Sequence, residues 1–238
     1  MLHREGRGWA REPAVIPWTL LDTAPVPGDG GELRLLQRGD EFSIRLGHNE
    51  LMNSRVHGSE EALAELAIAK IGDRKRPQIL IGGLGMGFTL RAVLRVIDAD
   101  ARIVVAELAP AVVAWNRGLL AGLSGGSLAD ARVSIREEDV GNLIRSERSA
   151  YDAILLDADN GPEALSRKAN ERLYDLAGLR AAYAALRPHG VLALWSAGPD
   201  RIFAGRLREA AFQVDEVRAR ARGARGGAHH TIWIAARS

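Results

Sequence analysis

A glycine run and the acids that follow it carry the chemistry that can be read from this chain. Gln78-Ile79-Leu80-Ile81 is a short apolar run that breaks into Gly82-Gly83-Leu84-Gly85-Met86-Gly87, and a helical pattern of Leu90, Val93, Leu94 and Ile97 follows. A buried strand that turns sharply into a helix aims backbone N–H groups at a nucleotide-like ligand. Gly83, Gly85 and Gly87 let the main chain approach that ligand, because no side chain intervenes. Glu107, followed by Leu108, ends the next apolar run about 20 residues on, the spacing at which an acid accepts hydrogen bonds from both hydroxyls of a ribose. Asp139 follows a third run. It can accept from an adenine amino group while Val140 packs on the ring, or cap the next helix, or do both; Glu138 is the fallback. Asp157 ends a fourth run, and Asp159 follows within Ala158-Asp159-Asn160-Gly161-Pro162. Either acid can orient an amine or act as a general base, and Asp159 can also form a turn with Asn160-Gly161.

These residues need strand ends that converge. From Gln78 onward, apolar runs at 78–82, 102–106, 132–136, 152–157, 190–196, 212–218 and 229–235 read as strands. Helical patterns at about 88–98, 110–121, 139–146, 169–186 and 200–210 separate them. Such alternation gives an α/β fold with a doubly wound, mostly parallel sheet, and ligands sit beyond the carboxyl ends of its strands. The segment 219–228 is too short for a crossover helix, so the last two strands pair as an antiparallel hairpin at one edge. A seven-stranded sheet with an antiparallel last strand is the Rossmann-like architecture of class I methyltransferases. It is not that of dehydrogenases, and Phe88 occupies the place of their third dinucleotide glycine. Asp152, at the start of its strand, falls at the opposite end of the sheet and reads as structural. His229 and His230 read as residues of an edge strand without metal-site spacing. Upstream, 32–37 and 41–46 alternate around Arg38-Gly39-Asp40 as a β-hairpin. Residues 1–30, rich in Pro and Gly, read as an extended lead-in, and Ser59 as the N-cap of a helix with Leu63, Leu66, Ala67 and Ile71 on its apolar face.

With 47% hydrophobic residues over 238 positions the chain can bury one domain's core, and no apolar run approaches the roughly 20 residues a membrane span needs. The first residues lack an apolar signal core, which places the chain in the cytoplasm. The absence of cysteine excludes disulfides, thiolate metal sites and a cysteine nucleophile, and no metal is expected. Arg218, Arg220, Arg222 and Arg225 read as a solvated basic segment rather than a phosphate site. Aromatics at 5% are too few for a stacking platform, so nucleic acid is not an expected partner.

The chain resembles the spermidine-synthase-like (polyamine aminopropyltransferase-like) branch of class I S-adenosylmethionine-dependent methyltransferases over about residues 32–236. The matching stretches are Gly82-Gly83-Leu84-Gly85-Met86-Gly87-Phe88-Thr89-Leu90-Arg91, Val105-Ala106-Glu107-Leu108-Ala109-Pro110-Ala111-Val112-Val113, Tyr151-Asp152-Ala153-Ile154-Leu155-Leu156-Asp157 and Leu186-Arg187-Pro188-His189-Gly190-Val191-Leu192. The likeness implies a cofactor, S-adenosylmethionine or its decarboxylated form, with Glu107 on the ribose, Asp139 on the adenine and Asp157 at the catalytic position. It implies an N-terminal segment and hairpin over 1–58 and a transferase domain over 59–238, with a homodimer left open. Three departures stand out. Met86 replaces a glycine-loop aspartate, the stretch after Asp157 is shortened, and the helix after Glu60-Glu61 runs Ala62-Leu63-Ala64-Glu65 without the family's aromatic residue. A dicationic polyamine needs several carboxylates to replace its hydration. The expectation is therefore methyl transfer to a small acceptor, with putrescine and spermidine as poor substrates. The alternatives are aminopropyl transfer from decarboxylated S-adenosylmethionine to an amine, and a non-catalytic nucleoside-binding protein.

Overall fold

The computed structural model describes residues 16–27, 31–157, 172–221, 223 and 226–238. The chain opens with a four-stranded antiparallel sheet of β1 (Thr19–Pro25), β2 (Glu32–Arg38), β3 (Glu41–Leu46) and β4 (Asn49–Asn53), in that order. The expected hairpin is its centre, β2 paired with β3. The strands on either side were not foreseen, since β1 lies in what reads as a lead-in. A bond from Trp115 Nε1 to Asp22 Oδ2 at 2.7 Å ties β1 to the body of the protein.

Helix α1 (Gly58–Ile71) leads into β5 (Gln78–Gly82), α2 (Phe88–Val96), β6 (Arg102–Ala106), α3 (Pro110–Arg117) and the short α4 (Ala121–Ser124). Then come β7 (Val133–Arg136), α5 (Val140–Ser146), β8 (Tyr151–Leu156), α6 (Leu176–Ala185), β9 (Leu186–Ser196), α7 (Arg201–Glu209), β10 (Gln213–Arg220) and β11 (His229–Ala236). Two readings of local structure need correction. Helix α1 starts a residue before Ser59, with His57 in the capping position and no side-chain cap, because the Ser59 hydroxyl is engaged elsewhere. The helix expected at 110–121 breaks at Gly118 into α3 and α4.

The seven strands of the second sheet run in the order β10-β11-β9-β8-β5-β6-β7. All neighbours from β9 to β7 are parallel, whereas β11 is antiparallel to both β9 and β10. The last strand is thus inserted beside β9 and β10 is the edge, so His229 and His230 are not on an edge strand. Ile79 and Ile81 of β5 pack into the core under α1, α2 and α3. Leu80 faces the core under α5, α6 and α7. Every residue of β8 is buried, as expected of a parallel strand covered on both faces.

At the amino ends of these strands a buried carboxylate holds three segments together. Asp152 accepts from Arg74 Nη1 at 2.7 Å, Arg187 Nη1 at 2.8 Å and the backbone N–H of Gln78 at 2.8 Å. Removing one partner of a buried ion pair leaves uncompensated charge and costs about 3–5 kcal/mol. Both arginines are partly exposed, so the low end applies. Asp152→Ala is expected to lose about 3 kcal/mol in urea unfolding; a loss under about 1 kcal/mol would put this cluster with ordinary surface pairs.

Candidate active site

Crowding at the end of β5 fixes where the site lies. A Cβ added at Gly82 would come within 2.8 Å of Leu156 Cδ2 and 2.9 Å of Val140 Cγ2, closer than packed side chains approach. Only glycine lets β5 leave the sheet between β8 and α5. The chain then turns through Gly83, Gly85 and Gly87 at φ of 93°, 51° and 79°. Gly85 lies under Met52 of β4, whose Sδ is 2.7 Å from where a Cβ would be, so the first sheet closes down on the glycine loop. Gly87 faces Ser124 and Asn116; its missing side chain serves packing behind the loop.

Between the strand ends and the first sheet lies a cavity of about 450 Å³, within the size range of small-molecule sites. Gly83, Gly85, Glu107, Leu108, Asp139, Val140 and Asp157 all reach it, whereas Gly87 does not. Asp159 lies outside the described residues. Glu107 accepts from Leu84 N at 2.9 Å through Oε2 and from Ala109 N at 2.8 Å through Oε1, which fixes its carboxylate beside the loop. Asp139 caps α5, with Oδ1 accepting from Gly141 N at 2.6 Å, and still borders the cavity with Glu138. Asp157 is anchored from two sides. Its N–H donates to Gly82 O at 3.1 Å, and its Oδ2 accepts from the Thr89 hydroxyl at 2.5 Å.

Sequence reasoning missed the wall opposite. Glu60 from α1, Glu50 from β4, Trp195 from β9 and His230 from β11 also line the cavity. Ser59 Oγ donates to Glu60 Oε2 at 2.7 Å and lies 2.9 Å from His230 Nδ1. Burial, then the charge of Asp157, pushes the Glu60 carboxyl up to about 8. Burial lowers the His230 imidazole below its usual value. The rings of Trp195 and His230 meet edge to face at 4.8 Å. Alternation along β11 was the only sequence signal for His230, and none existed for Glu50. The lining carries Glu50, Glu60, Glu107, Glu138, Asp139 and Asp157 and, among the described residues, neither lysine nor arginine.

A sheet of this order, with a glycine turn after its first parallel strand and acids at the next strand ends, defines a Rossmann-like protein of the class I methyltransferase fold. Within that class the chain belongs to the spermine/spermidine synthase family, whose domain model matches residues 57–200. A polyamine aminopropyltransferase of Corynebacterium efficiens is 32% identical over 153 residues, which are 63% of this chain and 28% of that protein. The chain therefore spans less than a third of that relative. Spermidine synthase from Thermotoga maritima superposes with a TM-score of 0.71 at 19% identity, covering 92% of this chain and 73% of the other. A spermidine synthase in complex with the transition state analogue AdoDATO gives the same TM-score and identity over 92% and 72%. A probable spermidine synthase from Corynebacterium glutamicum gives 0.63 at 15% over 94% and 81%. At these identities the structures establish the fold.

Family membership and the aminopropyltransferase relative overturn the expectation of methyl transfer. The acids along the family's motifs understate the charge of the cavity, and Met86 does not stand at the ligand in place of an acid. Met86 is fully buried in the core, while Glu50 and Glu60 bring carboxylates to the cavity from outside those motifs.

A raised carboxyl also leaves a mark on stability. Between the unfolded value near 4.5 and about 8, folded Glu60 keeps a proton that the unfolded chain has released. The folded state then binds more protons, so this contribution is complete below about pH 4.5 and is lost as pH rises through 8. Glu60→Gln is expected to flatten that fall and to be the more stable protein, by a few kcal/mol, above about pH 8. Urea unfolding of both proteins from pH 5 to 9 checks it; parallel curves would remove Glu60 as the source.

Proposed function

We propose that the chain transfers the aminopropyl group of decarboxylated S-adenosylmethionine to a small amine acceptor. The observation that carries this reading is that six acidic side chains line the cavity and, among the described residues, neither lysine nor arginine does. Intact S-adenosylmethionine carries a carboxylate on its amino-acid arm, and such a group would enter among anions. At an effective dielectric near 20, two like charges about 4 Å apart cost about 4 kcal/mol. The decarboxylated donor brings only cations, a sulfonium and an ammonium, and an amine acceptor arrives as a cation as well. Family membership and the aminopropyltransferase relative support the same reaction.

In this reading Glu107 holds the ribose, with Leu108 beside it, and Asp139 and Val140 hold the adenine. Gly83 and Gly85 keep the loop low over the donor, with Gly87 setting the turn. Asp157, with Asp159 as the rival, orients the acceptor amine and acts as its general base. The sulfonium is already activated, so the protein's work is to align donor and acceptor and to exclude water. A cytoplasmic location suits a cysteine-free chain, the division of labour is between 1–58 and 59–238, and homodimeric assembly belongs to the same proposal.

Calorimetry is expected to show decarboxylated S-adenosylmethionine binding at least tenfold more tightly than the intact molecule, and mixing the former with diamines is expected to yield the thioether product. Asp157→Asn keeps size and removes charge, and is expected to lower turnover by about 10²–10⁴-fold. Tighter binding of intact S-adenosylmethionine, or methyl transfer from it, would sink the reading.

A further inference from the structure

We propose that Trp195 and His230 set the length of the acceptor, as the wall and the end stop of its half of the cavity. The assignment rests on the aminopropyl-transfer reading above, and it makes the acceptor a short α,ω-diamine rather than a longer triamine. The sheet order lays the cavity out. Strand ends follow one another as β11, β9, β8, β5, β6 and β7. Glu107, Glu138 and Asp139 come after β6 and β7, on the nucleoside side of the glycine turn, whereas Asp157 follows β8 on the other side. Leu156 stands opposite Leu194, so the next residues along, Asp157 and Trp195, leave the sheet side by side. Trp195 stands opposite Ile232 of β11, and His230, two residues from Ile232, points to the same face. Asp157, Trp195 and His230 thus form one row across three neighbouring strands, and all three line the cavity. With neighbouring strands about 4.8 Å apart, the row spans about 10 Å.

Beyond Asp157 this row offers carbon. Trp195 Nε1 is buried and, among the described residues, has no hydrogen-bond partner, so the side chain turns ring carbon toward the ligand. An indole face suits the methylenes of an alkyl diamine and attracts its ammonium as well. His230 is held from two sides, with Nδ1 at 2.9 Å from Ser59 Oγ and its ring edge to face with Trp195 at 4.8 Å. After His230 the row stops. Ala219 of β10 stands opposite His230, but Ala219 and Ala221 are buried and neither lines the cavity. Gly58 N donates to Ala221 O at 2.8 Å, which lays the start of α1 on the end of β10. A diamine with its reacting nitrogen at Asp157 lies along Trp195 and brings its far nitrogen to His230. The additional aminopropyl unit of a triamine meets the imidazole and the closed end behind it.

The test compares kcat/KM for thioether release from decarboxylated S-adenosylmethionine with putrescine and with spermidine as acceptors. The wild type is expected to prefer putrescine by about 10–200-fold, the range a misfitting apolar segment produces. His230→Ala removes the end stop and is expected to shrink that preference by about tenfold, chiefly by raising the spermidine value, with donor affinity unchanged within about threefold. His230→Asn is shorter but keeps a polar partner for Ser59, and is expected to shift the preference the same way; thermal unfolding confirms that each variant is folded. Trp195→Ala is expected to raise KM for putrescine by about tenfold with kcat little changed, and Trp195→Phe, which keeps a ring, to recover most of it. Equal use of both amines by the wild type overturns the assignment, as does a preference unchanged in both His230 variants. An unchanged putrescine KM in Trp195→Ala removes the wall. A wild-type protein that turns over neither amine overturns the proposed reaction, and the assignment with it.

Discussion

Because β5 and β8 are covered on both faces, their backbones have partners only along the sheet, and the chain can turn away from it only at the strand ends. At the end of β5 the packing of Leu156 and Val140 leaves no room for a side chain at Gly82. The glycine turn, the position of Glu107 and the close approach of Asp157 to the loop all follow from that crowding. Asp157 is fixed to Gly82 O through its N–H and to Thr89 through its carboxylate, so the acid is positioned by the element that frames the loop. Displacing any strand end would move the rest.

The second layer of the site comes from elsewhere. The first sheet lays Met52 on Gly85 and brings Glu50 to the cavity, and α1 adds Glu60. Six acidic side chains line one volume, without a lysine or arginine in the lining among the described residues; Glu50 is paired with Arg45 from outside it, and Glu60 keeps its proton up to about pH 8. Burial first, and the charge of Asp157 second, keep the Glu60 proton in place up to about pH 8.

What could be read from the sequence was local. The glycine run, Glu107 and Asp157 follow short apolar runs whose periodicity fixes both strand and direction, and the parallel order follows from alternation. Asp152 was legible as structural because it starts its strand. The opposite wall was not legible, since Ser59 and His230 are 171 positions apart and meet only through the insertion of β11 beside β9. Local reasoning gave Ser59 a capping role, when its hydroxyl was needed by a tertiary contact. Strand β1 was hidden by proline and glycine around it, and β11 was placed on the edge because a hairpin does not state which of its strands faces inward. The sequence favours methyl transfer for a related reason: motifs order charge along the chain, while a cavity collects it in space.

The Asp152 cluster sits at the amino ends of the strands, and the acids of the cavity sit at the carboxyl ends. Arg74, Gln78 and Arg187 are fastened there, at the far pole from Glu60 and Glu50. The molecule therefore keeps its mechanical keystone and its acidic cavity at opposite ends of one sheet. A substitution at the rim of the cavity leaves the three partners of Asp152 untouched, so the joint that holds the sheet stays shut whatever side chains the rim carries.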